Sequence, residues 1–179
     1  MKARLPLALL LLALVSCGER PDPKTPSATP YGSPEEVNAY LQVIDPLVMQ
    51  LNTLHQELYN TVGSSGKATA ANLAPAMEQG RPRLAQILAA LDQATPPPLL
   101  APFHQQIKKL VQLRLEAYAQ ALEGWKQEQQ KGAGFENLYQ RSEELLTQAQ
   151  DLGIPLGDER QRIQQVLEAA KPPDQAASR

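Results

Sequence analysis

Apolar residues recur in alternating steps of three and four along most of this chain, and that spacing leaves few folds open to it. A helix turns once every 3.6 residues, so such a pattern gathers its apolar side chains into one stripe that has to be buried. The first stripe is Val37, Leu41, Ile44, Val48, Leu51, His55, Leu58 and Val62, widened by Tyr40, Leu47 and Leu54. A second runs through Leu73, Met77, Gly80, Leu84, Ile87 or Leu88, and Leu91. A third runs through Leu100, His104, Ile107, Val111, Leu115, Tyr118, Leu122 and Trp125. A fourth holds Phe135, Leu138, Ser142, Leu145, Ala149 and Leu152. Strands would need alternation in twos and turns such as Asn-Gly or Asp-Gly; neither dipeptide occurs.

Punctuation sets the boundaries. "SPEE" opens the first helix, with Ser33 as cap, Pro34 at the first helical position and Glu36 completing a capping box. "GSSGK" at 63–67, "TPPP" at 95–98 and "KGAG" at 131–134 are connections. Pro46 predicts a kink near Asp45, and Gly80 with Pro82 predicts a bend or break in the second helix. Gly153 suits a helix C-terminus and Pro155 forbids continuation, so the fourth helix is expected to stop there. A short fifth helix over about Asp158 to Ala170 would then bury Ile163, Val166 and Leu167. The expected fold is all-α: an up-down antiparallel four-helix bundle over 34–171, closed by the short fifth helix, with a disordered tail at 172–179. Turn spacing is uneven, which argues against a solenoid of repeats.

The N-terminus carries a different signal. Lys2 and Arg4 precede an apolar run from Leu5 to Val15, the layout of an export signal. At eleven residues the run is too short for a membrane-spanning helix, which needs about 20. Leu14, Val15, Ser16 and Cys17 then resemble the lipobox of bacterial lipoproteins. That resemblance implies a signal peptide at 1–16, cleavage between Ser16 and Cys17, and attachment of diacylglycerol and a further fatty acyl group such as palmitate to Cys17. Two or more chains anchor stably where one does not. Cys17 is the only cysteine, so an internal disulfide is excluded.

Residues 17–33 follow as a tether with Pro21, Pro23, Pro26 and Pro30 among small polar residues. Its sixteen residues after Cys17 would reach roughly 50 Å in polyproline II. Gly18 is not the aspartate that the family associates with inner-membrane retention, so the resemblance favours the outer membrane in a cell with two.

Chemistry-bearing motifs are sparse. Loss of 1–16 removes Lys2 and Arg4 from 17 basic residues against 19 acidic ones, moving the formal charge from −2 to −4. Such a chain has no basic footprint for nucleic acid. His55 and His104 sit on or beside stripes and are the weak ligand candidates for a metal or haem. Packing or exposure is the ordinary role for both. Neither belongs to a Glu-x-x-His motif, and no Cys-x-x-Cys-His occurs. The carboxylate pairs Glu35/Glu36, Glu143/Glu144 and Asp158/Glu159 are adjacent in sequence and diverge by about 100° on a helix. Arg81/Arg83 and Lys108/Lys109 are too small for a charged patch, and Trp125 reads as a core anchor. No nucleophile elbow, phosphate loop or zinc spacing is present.

The stretch "PPPLLAPFHQQIKKLVQLRLEAYAQALEGW" loosely resembles extracytoplasmic helical-bundle lipoproteins, which lend no activity to transfer. The expectation is a non-catalytic, lipid-anchored envelope scaffold or interaction module without cofactor, whose partners are the membrane and an envelope protein. The alternative is a bundle that binds a small ligand, metal or haem.

Overall fold

The computed structural model describes residues 29–65 and 69–171. The expected signal peptide 1–16, Cys17, the expected tether as far as Ala28 and the expected tail 172–179 lie outside the described residues. Four helices make up nearly all of the rest: α1 (Pro34–Ser65), α2 (Ala70–Gln93), α3 (Ala101–Gln129) and α4 (Phe135–Ala169). A 3-10 turn at Pro98–Leu100 leads into α3. The only β pairing among the described residues is an isolated bridge between Thr29 and Gly32.

Helix starts follow local chemistry. Ser33 Oγ accepts from the Glu36 N–H at 3.2 Å, and Thr69 Oγ1 accepts from the Asn72 N–H at 3.3 Å. Each side chain thereby satisfies a backbone donor that the first helical turn leaves open. Gly134, at φ +87°, supplies the left-handed residue that turns the chain into α4.

The interior prolines end no helix. Pro46 lies inside α1, Pro75 and Pro82 inside α2, and Pro155 inside α4. The separate fifth helix is therefore corrected: its residues are the C-terminal third of one 35-residue α4. A proline removes one N–H and frees the carbonyl four residues earlier. All four prolines are exposed, and so are the residues four positions before them, Gln42, Ala71, Glu78 and Asp151. Each freed carbonyl thus stands on a face where water completes its bonding, and the helix continues.

The last residues of the segment expected to be a tether are folded. Residues 29–32 form a tight turn, with Thr29 N–H donating to the Gly32 carbonyl at 2.8 Å and Gly32 N–H returning a bond at 3.1 Å. Tyr31 packs partly against the core, and its Oη donates to Glu159 of α4 at 2.9 Å.

The core gathers one face of each helix. Its fully buried members include Val37 and Ile44 from α1, Leu84 and Leu91 from α2, Val111 from α3, and Leu145 and Ile163 from α4. Position numbers run in opposite senses across α1 and α2, where Glu57 pairs with Arg83 while Tyr40 lies near Gln93. The same holds across α2 and α3, where Asp92 pairs with Lys108 and Gly80 abuts Tyr118. It holds again across α3 and α4, where Gly124 abuts Tyr139 and Leu110 lies near Gly153. α1 meets α4 through Asp45, which accepts two bonds from Arg160 at 2.9 and 2.6 Å.

Gly80 lies where α1, α2 and α3 approach closely. A Cβ there would lie 3.0 Å from the Tyr118 ring and 3.4 Å from Leu54. Trp125, expected in the core, is only half-buried and stands outside the cluster; buried Gly124 takes the inward position and gives its space to Tyr139.

Candidate functional site

The two histidines separate cleanly. On α1 the inward positions run Leu51, Leu54 and then Leu58, so His55 is turned to the exposed face. His104, one turn into α3, is 3 % exposed. Its Nδ1 lies 3.0 Å from the Tyr40 hydroxyl of α1, with the rings tilted at 58°. The backbone of Leu91, on α2, also hydrogen-bonds the imidazole. A carbonyl only accepts, so the ring donates to Leu91, and the neutral imidazole then accepts at Nδ1 from the Tyr40 O–H. One buried side chain thereby ties three helices.

His104 and His55 do not converge. Tyr40 marks the level of His104 on α1, and His55 lies fifteen residues farther along, about 22 Å at 1.5 Å per residue. No group of three or more His, Cys, Asp or Glu residues among the described residues has the arrangement of a metal site. The lipidation candidate Cys17 and the cleavage bond between Ser16 and Cys17 lie outside the described residues.

The clasp has a pH signature. Burial, followed by the charge of Lys108, pushes the His104 pKa below its ordinary 6.5, outweighing the opposing Leu91 bond and Asp92. Below pH 6.5 the unfolded chain takes up a proton that the native ring resists, so stability falls as pH falls toward the native value. The slope reaches up to about 1.4 kcal/mol per pH unit in that window. His55 shifts in the same direction, through partial desolvation and then Arg114. Urea denaturation in a His55→Gln background should therefore show a loss between pH 7.5 and 5.5 that His104→Gln reduces.

A second feature was not singled out from sequence. A cavity of about 300 Å³ opens between α1, α3 and α4, walled by Ile44, Leu51, Phe103, Ile107, Leu110 and Leu156, with Arg114 in its lining. Arg114 is half-buried, and its Nη1 donates to the Leu51 carbonyl at 3.0 Å. Among the described residues no carboxylate pairs with it. Burial pulls its pKa down, although the guanidinium stays charged at any physiological pH.

Asp45 and Arg160 also line the cavity but neutralise each other. Exposed Gly157 forms part of the wall, and a Cβ there would meet nothing within 4 Å. Spacing carried the missed signal: Leu100, Ile107 and Arg114 stand seven apart, which puts a cation on the third helix's inward stripe.

Two other hollows differ in charge. A groove of about 600 Å³ beside Pro96, Pro97 and Pro98 includes Glu36, and a cavity of about 420 Å³ beside Met77 and Ser142 includes Glu143. Both carboxylates are exposed. No family model matches the chain, and no curated protein or solved structure is significantly similar to it.

Proposed function

We propose that this chain is a non-catalytic scaffold or interaction module of a bacterial envelope, built as an up-down antiparallel four-helix bundle and held outside the cytoplasm by lipid on Cys17. The observation that carries the reading is the N-terminal order of basic residues, short apolar run, Leu14-Val15-Ser16 and Cys17, followed by prolines up to the bundle. The opposed numbering of contacts between consecutive helices supports the topology. No helix among the described residues is long and apolar enough to cross a membrane, which fits attachment through lipid. As His104 is committed to the Tyr40 clasp, it is a poor general base, which favours a structural role over an enzymatic one.

With Tyr31 docked on α4, the free spacer would be residues 18–28. Eleven residues in polyproline II span about 34 Å, less than the full tether would allow. An envelope protein partner should therefore engage the bundle close to the bilayer. Intact-mass measurement of the native protein tests the attachment. A chain starting at Cys17 with added fatty-acyl mass is expected, and Cys17→Ala or globomycin should leave the signal uncleaved. A native N-terminal residue without acyl mass would remove both the address and the scaffold role built on it.

A second reading, a carrier of a small ligand, draws on the Arg114 cavity and not on the histidines.

A further inference from the structure

The cavity between α1, α3 and α4 combines apolar walls with one cation that no carboxylate among the described residues pairs with. We propose that it binds a free medium-chain fatty acid, the hydrocarbon chain lying between Ile44, Phe103, Ile107, Leu110 and Leu156 and the carboxylate meeting Arg114. Volume sets the chain length. At roughly 30 Å³ for each water-sized group, 300 Å³ holds about ten methylenes.

Charge sets the head group. Three ionised side chains line the cavity, and Asp45 is held twice by Arg160, at 2.9 and 2.6 Å. That leaves the charge of Arg114 uncompensated. Even a half-buried cation without a counter-ion carries a desolvation cost, and an incoming carboxylate relieves it while matching the planar guanidinium with paired bonds. The Nη1 bond to the Leu51 carbonyl fixes the fork in place before a ligand arrives. The hollows beside Pro96–Pro98 and beside Met77 carry carboxylates instead and would repel the same ligand.

Photo-crosslinking tests the site in the full chain, using decanoate that carries a diazirine near its chain end, below its micelle concentration. Label should concentrate on peptides containing Ile107–Leu110 and Leu156, and excess decanoate should suppress it. Decanol has the same chain without the charge and should compete at least about tenfold less well, the span expected of a charge-assisted bond. Arg114→Gln should cut labelling by a similar factor, and Arg114→Lys should retain part of it.

Gly157→Leu guards against misfolding of the Arg114 variants. Gly157 lines the cavity and a Cβ there has open space before it, so a leucine should obstruct the ligand chain and cut labelling while Arg114 remains. Label spread evenly over the chain, equal competition by decanol, or undiminished labelling in either Arg114→Gln or Gly157→Leu would overturn the proposal. The readout does not depend on whether Cys17 carries lipid, so the two proposals fail separately.

Discussion

Ile163→Ala should lower the stability of the bundle by about 2–5 kcal/mol, the range for truncating a buried branched side chain that leaves a cavity. Ile163 is 0 % exposed and lies eight residues beyond Pro155, in the part of α4 that the proline was expected to disconnect. If 156–169 were a loosely attached extra helix, the same change would cost little and would leave the main unfolding transition in place. In one continuous α4, it moves the midpoint of a single transition. Urea titrations followed by circular dichroism distinguish the outcomes, with an unchanged slope against denaturant confirming that the same surface unfolds. A loss below about 0.5 kcal/mol, the size typical of surface changes, would contradict the docking of this segment.

Gly124→Leu should cost about 1–3 kcal/mol through overpacking. A Cβ at this position would stand 2.8 Å from the Tyr139 ring and 3.3 Å from the Cβ of Leu138. The ring cannot swing aside freely, because the Tyr139 hydroxyl donates to Glu128 at 2.7 Å and its edge packs on Phe135. Leu138 Cβ is fixed to the α4 backbone, so the two helices themselves would have to move apart. Gly157→Ala is the matched control. It removes a helical glycine where an added Cβ meets nothing within 4 Å, and should raise stability by about 0.8–1 kcal/mol. Thermal or chemical unfolding of both variants reads the opposite signs. Stabilisation by Gly124→Leu would show that α3 and α4 are not held this closely.

The sequence exposed the helical layout because burial leaves a periodic trace. Leu84, Leu91, Val111 and Leu145 all reach the core from positions that the stripes marked. Proline was the misleading signal. Read locally, Gly153 and Pro155 stop a helix; read by phase, Ser142, Ala149, Leu156 and Ile163 keep a spacing of seven straight through them. What decides between these readings is the environment of the freed carbonyl, a property of the opposite face that proline itself does not encode.

His55 stood on the stripe as read in sequence, one residue from Leu54. That single step is about 100° on a helix, and in α1 it is Leu51, Leu54 and Leu58 that face the core while His55 is exposed. The Arg114 cavity was obscured because a charged residue on an apolar stripe looks like a break in the pattern until its neighbours in space are known.

The turn at Thr29–Gly32, held by Tyr31 to Glu159, gives the molecule a direction. Asp45–Arg160 and the neighbourhood of Leu41 and Leu167 lie toward this end, together with the Pro96–Pro98 loop beside Tyr40. The Lys131–Gly134 corner lies at the other end of α3, 29 residues or about 44 Å away. Were the chain fastened at residue 17, as proposed, drag on a bound partner would load this end first, through one tyrosine hydroxyl and one arginine fork. The distal corner would then be the natural place to graft a reporter without disturbing the footing.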